Sequence, residues 1–107
     1  MTTAKFFLAK NKIRGFEISG HSGYADEGRD VVCSGVSSAA ILAANIITEQ
    51  LNIKADIRED DGHIYFLISG ESEACDAVLE GLKKHLLAIS KQYPQFLRII
   101  FGGVKND

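Results

Sequence analysis

Residues 36–51, "VSSAAILAANIITEQL", place Val36, Ala40, Ala43, Ile47 and Leu51 at steps of three and four, which predicts a helix. Ile41, Ala44 and Ile46 add apolar groups off that stripe, so the helix has to be covered on more than one side. A sheet can cover one side. Full burial inside a small two-layer domain is hard to arrange, and a second subunit is the expected cover for the other. Elsewhere the period is two. "AKFFLAKN" (4–11) is β-prone, "GFEISG" (15–20) sets Phe16 and Ile18 against Glu17, and Asn11-Lys12 between them reads as a hairpin turn. "IKADIRE" (53–59) alternates Ile53, Ala55 and Ile57 with Lys54, Asp56 and Arg58. Asp60-Asp61-Gly62 supplies a turn, and "HIYFLISG" (63–70) returns as the partner strand.

A second helix is predicted over 72–93. Ser72 is its N-cap, Glu73 and Asp76 suit its positive start, and Val78, Leu79, Leu82, Leu86 and Ile89 form its apolar stripe. Pro94 stops it, and "QFLRIIFGG" (95–103) is the last strand. The order is ββαββαβ, without repeats or linkers. It predicts one α+β domain over 1–107, a largely antiparallel sheet with two helices on one face.

At 107 residues the chain is long enough to bury a core without staples. Its 46% hydrophobic and 24% charged residues are ordinary for a globular protein. A net charge of −2 argues against a general affinity for nucleic acid or anionic membrane. Lys83-Lys84 reads as a solvated helix face. The start "MTTAKFFLAKNK" has no long apolar h-region, and no apolar run nears the roughly 20 residues of a bilayer span. A cytoplasmic protein with no membrane or direct nucleic-acid partner is expected. Cys33 and Cys75 are too few for a disulfide scaffold. No C-x2-C or H-x3-H spacing occurs, and His21, His63 and His85 are scattered, so neither a metal nor another cofactor is expected.

The stretch "GHSGYADEGRDVVCSGVSS" (20–38) breaks both periods. It reads as a polar, glycine-rich loop that ends in a cysteine at the start of the first helix. A thiol attacks as its thiolate, a form favoured by a nearby imidazolium and by the positive end of a helix. Both are expected around Cys33: His21 lies where the second strand ends, and Gly20, Gly23, Gly28 and Gly35 let the intervening chain curl back. Helix-start amides could also hold an oxyanion. Spacing alone leaves two readings open, a Cys–His catalytic pair or a small buried cysteine beside a solvated loop histidine. Cys75 falls on the stripe of the second helix and reads as core. His85 reads as a boundary residue and His63 as the opening of a strand, neither with a nearby nucleophile.

The same stretch closely resembles the signature of the Prp family, the ribosomal-processing cysteine proteases. The family pattern, approximately G-H-x-G-Y-A-x-x-G-x-D-x-V-C-A-x-V-S, falls without a gap on Gly20, His21, Gly23, Tyr24, Ala25, Gly28, Asp30, Val32, Cys33, Val36 and Ser37. Ser34 stands where alanine is common. The resemblance implies a cytosolic homodimeric endopeptidase with a His21–Cys33 dyad. Its substrate would be the precursor of the twenty-seventh large-subunit ribosomal protein, from which it removes a short N-terminal extension. It further implies a glycine-rich loop, through Gly20, Gly23 and Gly28, that rearranges over the site when peptide binds.

On that reading Cys33 attacks the scissile carbonyl, His21 manages the proton, and the backbone amides of Ser34 and Gly35 hold the oxyanion. Asp30 either orients His21, caps the helix or is an ordinary loop acid. Ser37 either contacts peptide or bonds its own backbone, and Tyr24 either lines a pocket or packs the loop. The competing functions are a non-enzymatic ribosome-associated peptide-binding module and a redox-sensing dimer that uses Cys33.

Overall fold

The computed structural model describes residues 1–20 and 27–104, for 27–30 the backbone alone. The elements are β1 Thr2–Ala9, β2 Lys12–Ser19, α1 Glu27–Asn45 continued by a π-helical turn Ile46–Gln50, β3 Ala55–Asp60, β4 His63–Ile68, α2 Glu73–Gln92 and β5 Leu97–Gly103. The order is the expected ββαββαβ. The strands form one sheet in the order β3-β4-β2-β1-β5, antiparallel except for the β1–β5 pair. That parallel pairing needs a crossover, and α2 supplies it.

Local chemistry sets the connections. β1 turns into β2 through Lys10 and Asn11, both at positive φ (53° and 65°), as a two-residue turn that follows the twist of the strands requires. The turn therefore lies one residue before the expected Asn11-Lys12. At the end of the first helix the Leu51 amide donates to the Ile46 carbonyl (2.9 Å), and Asn52 adopts φ 54°. Asparagine tolerates that left-handed conformation, which stops the helix. Ser72 caps α2, its hydroxyl accepting from the Cys75 amide at 3.0 Å.

The first helix corrects the sequence reading. It begins at Glu27, not near Val36, so residues 27–35 are helical rather than loop. The buried stripe runs back to Val32, giving Val32, Val36, Ala40, Ala43 and Ile47 at steps of four, four, three and four. Glycines signal a loop, yet each costs a helix interior only about 1 kcal/mol relative to alanine. Packing of Val32 and its neighbours outweighs that.

Phe6, Phe16 and Phe66 come from three adjacent strands and are fully buried, with Phe16 and Phe66 stacked at 5.1 Å between ring centroids. The α1 stripe and Leu79, Leu82 and Leu86 of α2 close over them in one core. Each such side chain contributes roughly 1.5–3 kcal/mol on burial. A second correction follows. Val31–Gln50 is a 20-residue helical stretch long and apolar enough, by length and composition, to cross a membrane. Interspersed Ser, Gly and Thr hid it from a search for unbroken apolar runs. Its buried stripe is the core face of the helix, and 28% of its apolar 18-residue window is buried.

Candidate active site

Cys33, Ser37 and Ile41 are four residues apart on α1 and therefore share one helix face. All three line a cleft of about 280 Å³ at one end of the sheet. Thr2 at the start of β1, Ile18 on β2 and Ile64 on β4 form its opposite wall, and Glu59 and Asp60 lie at its rim. Cys33 is half-buried, and its Sγ lies 3.2 Å from Thr2 Oγ1. The cleft thus offers a reachable sulfur, a hydroxyl beside it, a second hydroxyl one helical turn on, and apolar side walls.

The other cysteine is different in each respect. Cys75 is fully buried under the first turn of α2. Burial pushes its thiol up, the Asp76 carboxylate adds to that, and Arg14 opposes it. A protonated, enclosed thiol is a packing group.

His21, Gly23 and Tyr24 lie outside the described residues, as does the side chain of Asp30. Gly28 is in the first turn of α1, which differs from the expected loop. Gly20 directly follows β2 at φ 104°, and a Cβ there would stand 2.2 Å from the Met1 carbonyl oxygen. This position accepts only glycine, because it combines a left-handed backbone with a close approach to β1. The oxyanion expectation also needs correcting. The free amides of an α-helix are its first four, here those of 27–30. Ser34 and Gly35 sit two turns in, where their amides fall inside the helix's own i→i−4 pattern, so in this conformation they are not helix-start donors.

Thr2 and His63 are among the cleft residues that sequence reasoning did not place there. Thr2 carried no motif, and only the pairing of β1 with β5 and β2 brings it against α1. His63, which the sequence places away from any nucleophile, lines the same cleft. Its Nε2, however, lies 2.6 Å from Glu17 Oε2. Among the described residues no group of three or more His, Cys, Asp or Glu side chains could hold a metal ion.

Comparison with known proteins makes the class of the chain explicit. The Ribosomal processing cysteine protease Prp of Bacillus subtilis is 32% identical over 94 residues, covering 81% of this chain and 84% of its own. That of Staphylococcus aureus is 24% identical over 93 residues, covering 84% and 88%. The fold matches a crystal structure of the S. aureus ribosomal processing protease Prp in complex with a substrate peptide. Its TM-score is 0.87 at 22% identity, over 94% of this chain and 99% of that one. SMU.848 from Streptococcus mutans matches with a TM-score of 0.85 at 20% identity, over 97% and 99%. The protein is a cysteine protease. It belongs to the family Cysteine protease Prp, whose sequence model matches residues 1–98.

Proposed function

We propose that the protein is an endopeptidase that processes a ribosomal protein, with Cys33 as nucleophile and His21 as its proton-transfer partner. The observation that carries the assignment of the nucleophile is the contrast between the two thiols: Cys33 faces a cleft, and Cys75 is sealed in the core. The ribosomal substrate class rests on the relatives named above. The finer reading is that the substrate is the precursor of the twenty-seventh large-subunit ribosomal protein, from which a short N-terminal extension is removed in the cytoplasm.

The steps follow from cysteine chemistry. The Cys33 thiolate adds to the scissile carbonyl, and the tetrahedral intermediate collapses as His21 protonates the leaving amine. Water then attacks the Cys33 thioester, His21 takes its proton, and the carboxylate product leaves. Ser37, on the same face of α1 as Cys33, is placed to contact the peptide. The apolar side walls, Ile18, Ile41 and Ile64, suit a hydrophobic segment.

A homodimer is part of the proposal. Val31 (59% exposed) and Leu42 (62%) remain uncovered on α1, and a groove of about 550 Å³ runs between α1 and α2, lined by Leu42, Ile46 and Val78. A second copy, bringing the same apolar helix, is the occupant that matches this surface.

Incubation with the unprocessed ribosomal protein from the same genome, read by intact mass, tests the function. A single truncated product is expected. A substrate left whole by well-folded protein contradicts the proposed substrate.

A further inference from the structure

Thr2 is the buried polar residue of the described chain, 3% exposed, and Cys33 Sγ at 3.2 Å is the partner of its hydroxyl among the described residues. The two are 31 positions apart, and only the fold brings them together. Thr2 does not reach the sulfur from a loop. Its amide donates to the Phe96 carbonyl at 3.0 Å, it sits in register with Leu97 on β5, and Thr3 beside it pairs with Ser19 on β2. Two neighbouring strands therefore fix where the hydroxyl points. Donor and acceptor follow from the chemistry of sulfur. A thiolate carries no proton and can only accept, so once Cys33 is ionised Thr2 Oγ1–H must be the donor. A hydrogen bond to a charged group is stronger than a neutral one.

We propose that Thr2 is a positioning residue for Cys33: its hydroxyl donates to the sulfur and holds it at the cleft wall in the orientation for attack. The proposal rests on the reading of Cys33 as the nucleophile. It also gives β1 a role in the chemistry, because displacing the first residues of that strand withdraws the donor.

The test uses the full chain with Thr2→Val, which keeps the shape and removes the hydroxyl, and Thr2→Ser, which keeps the hydroxyl and removes the methyl. Two readouts are taken across pH 5–9: iodoacetamide alkylation of Cys33 mapped by mass spectrometry, and cleavage kinetics on the ribosomal precursor. Thr2→Val should slow Cys33 alkylation at neutral pH and lower kcat by about tenfold each, ~1.4 kcal/mol. KM should hold. Thr2→Ser should restore both rates. A packing role predicts the reverse, a benign valine and a damaging serine, and that pattern overturns the proposal. If Thr2→Val does not fold, Thr2→Ala against Thr2→Ser isolates the hydroxyl in the same way, and equal rates in those two overturn it. The two levels of failure are separable. Wild-type Cys33 alkylated as slowly as Cys75 defeats the nucleophile reading, whereas a fast Cys33 indifferent to Thr2→Val defeats the role of Thr2 alone.

Discussion

His63 Nε2 lies 2.6 Å from Glu17 Oε2, and Glu17 sits between Phe16 and Ile18, whose side chains enter the core on the opposite face of the sheet. The imidazole is therefore held toward the face of the sheet that carries no helix. His63 touches the cleft of Cys33, but its ring is engaged elsewhere. A base has to reach the proton it takes.

The first prediction follows from that geometry. His63→Gln should cleave the precursor at close to the wild-type rate, whereas His21→Ala should lose most of it, by about 100-fold or more. Steady-state kinetics on the two variants decides the matter. Comparable losses in both would make His63 part of the proton path.

The thiol in the core sets a pH dependence of stability. Burial raises the Cys75 thiol above its unfolded value, so the native state holds a proton that the unfolded chain gives up first. This contribution is fully present below about pH 8.5, where the unfolded thiol ionises, and is lost as pH rises through the higher native value. Urea midpoints measured from pH 7 to 10 should fall, and Cys75→Ala should flatten that fall. The same substitution should cost about 1 kcal/mol at pH 7 through a small cavity and leave cleavage unchanged. An alkaline slope identical in the variant would remove Cys75 as its cause.

The helix that carries Cys33 also carries the uncovered apolar surface, but its residues divide between two sites. Ile41 lines the cleft, so a charge there damages the site directly. Leu42, one position on, lines the interhelix groove instead and is the cleaner probe. Leu42→Glu should convert a dimer at micromolar concentration into monomer, by placing an unpaired charge in the contact. Activity should fall in proportion to dimer content. Light scattering with parallel assays checks this, and a wild-type monomer with full activity would contradict it.

The fold was legible because its signals are local. Period-two alternation set β3 and β4, the Ser72 cap and the Leu79–Leu82–Leu86 stripe set α2, and Pro94 ended it. Two features were not legible for physical reasons. Gly28 and Gly35 carry the mark of a loop, and only tertiary packing of Val32 keeps their segment helical. Thr2 joins Cys33 through strand pairings 95 and 16 positions apart, Thr2 with Leu97 and neighbouring Thr3 with Ser19, which no local pattern encodes. The burial of Cys75 was legible too, since it lies on the apolar stripe of α2. What sequence could not convey was how α1 aims Cys33 and Ser37 into one cleft while withholding the amides of Ser34 and Gly35.

Acid-quenched intact-mass spectrometry of the enzyme turning over the unprocessed precursor tests whether Cys33 forms the acyl intermediate. One acid-stable acyl adduct per active chain is expected, mapped by peptide digestion to Cys33. Both the adduct and cleavage should be absent in Cys33→Ala, and both should be retained in Cys75→Ala. An adduct on Cys75, or cleavage that persists in Cys33→Ala, would contradict it.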